Sequence, residues 1–246
     1  MKIEAILTPA ELPALAHRDL RDSVCVVFDI LRATSTCVTA LHNGAAAIIP
    51  VSEISEALEL GQKRPDVLLG GERNGVKIRT AERNFDFGNS PREYTPEKVR
   101  GKTIVSSTTN GTRALRACDG AKIVFASSFL NLSATAKFLR EKRFENILLV
   151  CAGTRENAAL EDILAAGALC EKLLDAQPAL SDSARVALAD YRQTKSELAA
   201  TIHQSENASR LLGIAELRDD VEFCLQQDVF DLVAALKDGA IRTCTR

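Results

Sequence analysis

Six short and nearly unbroken apolar runs, at residues 23–28, 46–51, 67–69, 102–105, 122–126 and 146–151, restrict what this chain can fold into more than any other feature. A strand with one face in water alternates apolar and polar residues, whereas a strand covered on both faces need not. Between the runs lie helical patterns. Ser52 is placed to cap a helix over 53–60 that stops at Gly61, and Thr95-Pro96-Glu97 sets a cap before a proline at the first helical position. Residues 161–174 keep Ile163, Leu164, Ala168, Leu169 and Leu173 at helical spacing, and residues 1–7 add a short strand. Strands alternating with helices predict an α/β sheet.

The pattern changes near Ser181. Residues 183–209 are polar and helix-forming, with Leu188, Tyr191, Leu198 and Ile202 as the apolar stripe, and a further helix is expected over 221–236 behind Asp219-Asp220. No stretch rich in proline, glycine or serine intervenes, so residues 1–246 read as a single domain with a helical extension over residues 181–246. Residues 40–51 also echo residues 114–125, each preceded by a strand and a loop rich in serine and threonine. The echo fits two similar units facing each other, and it equally fits the common cadence of α/β repeats.

Composition excludes several roles. With 31 Lys+Arg against 33 Asp+Glu there is no global field to attract nucleic acid or an anionic membrane surface. No apolar run approaches the roughly 18 residues of a membrane span, and the N-terminus is too short and too acidic for a signal peptide. Seven cysteines without a Cys-x-x-Cys pair argue against a disulfide framework or a zinc site. They read as small buried hydrophobes in a reducing cytoplasm.

Three presumed strand ends carry polar clusters that packing does not require. They are Asp29-Ile30-Leu31-Arg32-Ala33-Thr34-Ser35-Thr36, Ser106-Ser107-Thr108-Thr109-Asn110-Gly111-Thr112-Arg113, and Cys151-Ala152-Gly153-Thr154-Arg155 followed by Glu161-Asp162. Ligands of open α/β sheets bind beyond the carboxyl ends of strands, and hydroxyls, glycine and arginine there suit a phosphate or carboxylate. The bland reading of each cluster is ordinary helix capping. A fourth feature is Gly70-Gly71-Glu72-Arg73-Asn74-Gly75, followed by Asn84-Phe85-Asp86-Phe87-Gly88-Asn89-Ser90-Pro91. Asp29, Glu72, Asp86, Glu161 and Asp162 thus form a set of oxygen ligands without clustered histidine or cysteine, which favours magnesium over zinc or copper. Known phosphatase loops are missing. No cysteine is followed six positions later by arginine, and Leu31 stands where a haloacid-dehalogenase phosphatase has its second Asp.

Five of these segments in order resemble the 2-phosphosulfolactate phosphatase family. They are Phe28 to Thr36, Gly71-Glu72-Arg73, Phe85 to Pro91, Thr108 to Thr112 and Leu160 to Gly167, with a weaker tail over 209–225. Ser35 interrupts a usual run of threonines and keeps the hydroxyl. The resemblance implies a three-layer α/β/α fold with a mostly parallel or mixed sheet. It also implies a Mg²⁺-dependent phosphatase that releases phosphate from 2-phospho-3-sulfolactate in coenzyme M biosynthesis. On this reading Asp29, Arg32 and Glu72 are catalytic, with Asp29 the nucleophile or the base that orients water. Glu72, Glu161 and Asp162 contact the metal. Thr34, Ser35, Thr36, Asn89, Ser90, Thr109, Asn110, Gly111, Thr112 and Arg113 surround the substrate, with Arg113 near its distal anion. The expected partner is a small anionic phosphomonoester, with no nucleic acid and no membrane, in a cytoplasmic protein compatible with a homo-oligomer. The alternatives are a phosphatase of another 2-hydroxy-acid phosphate, a non-catalytic anion-binding module, and a scaffold built on the C-terminal helices.

Overall fold

The computed structural model describes residues 1–244. Its strands are β1 (Lys2–Ile6), β2 (Ser23–Phe28), β3 (Ala47–Pro50), β4 (Leu68–Arg73), β5 (Val76–Lys77), β6 (Thr103–Ser107), β7 (Ile123–Ser127), β8 (Asn146–Cys151), β9 (Ala179–Leu180), β10 (Ala234–Lys237) and β11 (Ala240–Thr243). The helices are α1 (Leu12–Leu15), α2 (Ala33–His42), α3 (Ile54–Lys63), α4 (Pro96–Val99), α5 (Gly111–Ala117), α6 (Leu132–Lys142), α7 (Leu160–Leu173), α8 (Asp182–Thr194), α9 (Leu198–His203), α10 (Glu206–Leu212) and α11 (Arg218–Cys224). All six apolar runs contain strands, because continuous apolar sequence can be buried on both faces. Along β2, Val24, Val26 and Phe28 join a core with α6, α7 and α8. Cys25 and Val27 face the opposite way, into a core shared with α2 and α5. The result is the expected three-layer α/β architecture.

The single sheet has the order β5-β4-β6-β3-β11-β10-β7-β2-β8-β1-β9. β4, β6 and β3 form one parallel block, and β7, β2, β8, β1 and β9 form another. The hairpin β10–β11 joins the blocks through antiparallel pairs with β7 and β3. The chain swaps a strand between them. From β2, helix α2 leads across to β3 beside β6; from β6, helix α5 leads back to β7 beside β2. The two echoing segments, 40–51 and 114–125, cover these matching crossovers. The loops after β2, β4, β6 and β8 consequently meet.

Two sequence expectations need correction. The segment expected as a helix over 221–236 is helical only to Cys224, and Ala234–Lys237 is a central strand. A central strand position was not readable from 233–237 alone, but Asp238-Gly239, with φ of 51° and 74°, supplies the tight turn that reverses it into β11. The extension over 181–246 is therefore partly sheet. The helix expected to stop at Gly61 continues to Lys63, with Glu53 rather than Ser52 at its N-cap. Six of the seven cysteines, Cys25, Cys37, Cys118, Cys151, Cys170 and Cys224, are buried as thiols. Among the described residues, no helix is long and apolar enough to cross a membrane.

Candidate active site

The four strand-end loops and helix α10 enclose a cavity of about 200 Å³. Asp29, Leu31 and Arg32 come from the loop after β2, Glu72 from the last residues of β4, Asn74 and Gly75 from the β4–β5 turn, and Thr109 and Asn110 from the loop after β6. Gly153, Thr154, Arg155 and Asn157 follow β8, α10 supplies Glu206, Asn207 and Arg210, and Asn89 closes the wall.

Local sequence explains how each loop holds its shape. After β2, the Thr34 hydroxyl donates to the Asp29 carbonyl at 2.9 Å and accepts the Asp29 N–H at 3.0 Å. After β6, Thr112 and Thr108 repeat the arrangement at 2.7 and 3.3 Å. Ser35 donates to the Ile30 carbonyl and Thr36 to the Asn89 carbonyl. The hydroxyls of Thr34, Ser35, Thr36 and Thr112 thus shape the loops, and none of these residues lines the cavity. Asn110 ties the two blocks: its amide donates to the carbonyls of Ala152 and Arg155 and accepts the Arg155 N–H. Arg155 is held in left-handed backbone, at φ 57°.

The carboxylates differ in what they have left to offer. Asp29 Oδ1 accepts the Ala33 N–H at 2.9 Å, and among the described residues its Oδ2 accepts no hydrogen bond. Burial, reinforced by the charges of Glu72 and Glu161, pushes this carboxyl up to about 7, while the Ala33 N–H and Arg32 oppose the shift. Glu72 lines the cavity with Oε1 on the Thr109 N–H at 2.8 Å and Oε2 on the Gly75 N–H. Asp162 spends both oxygens as a strut between β2 and β8, taking the N–H groups of Ile30 at 2.8 Å and Gly153 at 2.9 Å. Glu161 accepts from Asn207 at 3.0 Å through Oε1, while its Oε2 is buried and has no hydrogen-bond partner among the described residues. Burial raises the carboxyls of both Glu161 and Asp162, with Asp29 and Glu161 adding to the effect on Asp162. Asp86 lies elsewhere, accepting the Leu69 N–H at 2.7 Å. Among the described residues, no three acidic, histidine or cysteine side chains converge into a cage able to hold a metal alone.

Three guanidinium groups balance these acids. Arg32 donates to Asp220 at 2.7 Å and to the Gly75 carbonyl at 3.1 Å. Arg210 reaches Asn207 Oδ1 at 2.7 Å, and its pKa is lowered by burial and then by the nearby charges of Arg32 and Arg155. Of the candidates named from sequence, Asp29, Arg32, Glu72, Asn89, Thr109 and Asn110 line the cavity. Ser90 sits behind it on Asp220, at 2.7 Å. Gly111 abuts Asp29: a Cβ there would stand 2.6 Å from Asp29 Oδ2. Arg113 turns outward and pairs with Glu156 at 2.5 Å, the arginine half-buried and the glutamate exposed. The sequence reading missed Asn207, Arg210 and Asp220. Arg210 and Asp220 lie in the weaker tail, 209–225, and that tail was their available signal.

The family model described as 2-phosphosulpholactate phosphatase matches residues 7–239. A protein of Caldanaerobacter subterraneus subsp. tengcongensis named "Probable 2-phosphosulfolactate phosphatase" is 44% identical over 235 residues, 94% of each chain. One of the same name from Thermotoga maritima is 45% identical over 214 residues, 87% of this chain and 89% of its own. One from Clostridium beijerinckii is 36% identical over 248 residues, 99% of this chain and 100% of its own. Matches of this extent cover both strand blocks, every cavity loop and the C-terminal helices, so the chain belongs to the 2-phosphosulpholactate phosphatase family of phosphoric monoester hydrolases.

Proposed function

We propose that this chain hydrolyses 2-phospho-3-sulfolactate to 3-sulfolactate and phosphate with Mg²⁺, a step of the coenzyme M biosynthesis type. The observation that carries this reading is the convergence of Arg32, Arg155 and Arg210 on one small cavity beside the open Oδ2 of Asp29. The substrate carries phosphate, carboxylate and sulfonate on three carbons. Arginine suits all three, because its planar fork meets two oxygens at once. Arg32 serves the phosphate, and Arg155 and Arg210 serve the other anions, the role first expected of Arg113. Asp29 orients the attacking water and takes its proton as the ester P–O bond breaks, and the proton is passed on through solvent to the departing alkoxide oxygen, which becomes the hydroxyl of 3-sulfolactate.

The donor chemistry fits Mg²⁺. Such ions are commonly held by one or two carboxylates and completed by water and phosphate oxygens, so a full protein cage is not required. Glu72 at the cavity wall and Glu161 with its unbonded Oε2 would hold the ion, and Asp162 would keep the loops in place around it. The bound ion would neutralise charge on the phosphoryl group. The test is a phosphate-release screen across 2-phospho-hydroxy acids, with and without the sulfonate, in Mg²⁺ and in EDTA. Fastest release from the sulfonate-bearing substrate, lost in EDTA and restored by Mg²⁺, is the expected result. Full turnover in EDTA would remove the metal from the mechanism, and release from none of the esters would leave a binding module.

A further inference from the structure

Arg32 and Asp220 stand 188 positions apart in sequence and form a fully buried ion pair, with side chains 3% and 0% exposed. Asp220 does not line the cavity; it lies on α11, behind the guanidinium. Its Oδ2 takes Arg32 Nη1 at 2.7 Å and its Oδ1 takes the Ser90 hydroxyl at 2.7 Å, with Arg92 Nη1 further away at 3.9 Å. The second terminal nitrogen of Arg32 is fixed on the Gly75 carbonyl at 3.1 Å. Each terminal nitrogen therefore spends one N–H on the protein, and the other donors of the fork remain for an anion in the cavity.

A buried ion pair is poor evidence of a stabilising role, because desolvation offsets the attraction and an apolar pair of similar volume is often as stable. Orientation is what the pair supplies here. A guanidinium anchored on one side only could rotate about its long side chain, whereas anchors at Asp220 and Gly75 fix the plane of the fork. Asp220 is itself anchored by Ser90, next to the cavity residue Asn89, so α11 is tied to the site through two loops.

We infer that Asp220 is the positioning residue for Arg32, aiming its fork at the bound phosphate. The turnover arm of the test rests on the proposed phosphatase reading; a binding arm does not. In a double-mutant cycle, wild type, Arg32→Ala, Asp220→Asn and the double variant are compared by kcat/KM on 2-phospho-3-sulfolactate and by calorimetric titration with inorganic phosphate. Asp220→Asn is expected to lower kcat/KM about 100-fold, as a misplaced contact does. It is expected to weaken phosphate binding at least about tenfold. The double variant should match Arg32→Ala within about threefold in both measurements, because Asp220 acts through Arg32. A double variant well below Arg32→Ala would overturn the proposal, since that is the additive loss of a general structural role. If Asp220→Asn alone does not fold, the comparison of the double variant with Arg32→Ala still decides: neither leaves a buried arginine unpaired, and the Asp220 carboxylate that Arg32→Ala strands keeps the Ser90 hydroxyl, with Arg92 at 3.9 Å. Coupled phosphate binding without turnover would sink the phosphatase reading and keep the positioning role; turnover with additive losses would do the reverse. A wild type that bound no phosphate and released none from the ester would overturn both.

Discussion

Gly111→Ala poses a sharp conflict between local propensity and tertiary packing. Gly111 is the first residue of α5, and alanine in a helix is favoured over glycine by up to about 1 kcal/mol. Its added Cβ, however, would stand 2.5 Å from the Ala33 Cβ and 2.6 Å from Asp29 Oδ2. Ordinary contact begins at 3.4 Å, so these neighbours must retreat by about 0.8–0.9 Å. Ala33 is fixed in the first turn of α2, and Asp29 can move only by loosening its 2.9 Å bond to the Ala33 N–H. Overpacking of this kind costs about 1–3 kcal/mol, which outweighs the helix gain. Differential scanning calorimetry should show a melting temperature lower by a few degrees, at roughly 2–4 °C per kcal/mol for a chain of this size. The larger effect falls on chemistry: displacing Asp29 by nearly 1 Å should reduce kcat/KM for phosphate release about 100-fold. Wild-type kcat/KM with an unchanged or higher melting temperature would refute both the close approach and the role of Asp29.

Arg210→Ala should cut kcat/KM for the sulfonate-bearing ester by about 10–150-fold, the worth of a charged hydrogen bond at 1.5–3 kcal/mol, while Arg113→Ala, the half-buried partner of exposed Glu156, should stay within about threefold. Parallel kinetics of the two variants check this, and equal losses would return the distal anion to Arg113. Asp162→Ala strands the buried N–H groups of Ile30 and Gly153, so urea unfolding should report a loss of about 2–5 kcal/mol; a loss below about 1 kcal/mol would deny the strut. In metal-free buffer, stability should fall as pH rises from about 4 to about 7, by as much as about 4 kcal/mol. The Asp29 carboxyl holds its proton in the fold up to about 7, whereas the unfolded chain releases it near 4. Mg²⁺ should flatten this slope, and a rise in metal-free stability over that range would contradict the shift.

Much of the architecture is legible because burial leaves a local imprint. The runs at 23–28 and 146–151 match β2 and β8 residue for residue, since continuous apolar sequence has few other uses in a chain with helices between. The position of Asp29, Thr109 and Asn110 beyond strand ends follows from the same alternation, Glu72 falls inside the end of β4, and all four line the cavity. Which way a side chain turns from those ends is another matter. Arg113 follows a hydroxyl-rich loop just as Arg32 does, yet a helix rotates about 100° per residue and carries Arg113 out to Glu156. Thr34, Ser35, Thr36 and Thr112 look like substrate ligands in sequence, but backbone carbonyls beside them claim their hydroxyls. Residues 233–243 show a turn and two short apolar stretches; only pairing with β7 and β3 makes them the centre of the sheet. Asn207, Arg210 and Asp220 reach the site from α10 and α11; of the three, only Asn207 falls within a helix expected from local pattern, over 183–209. Their partners at Leu31 and Arg32 lie 176 and 188 residues earlier, and periodicity of 2 or 3.6 residues carries no information over that separation. The sequence by itself determined the layers and the strand-end acids, through burial patterns that short segments record. The tertiary structure alone decided which arginines line the cavity, because that depends on contacts between segments far apart in the chain.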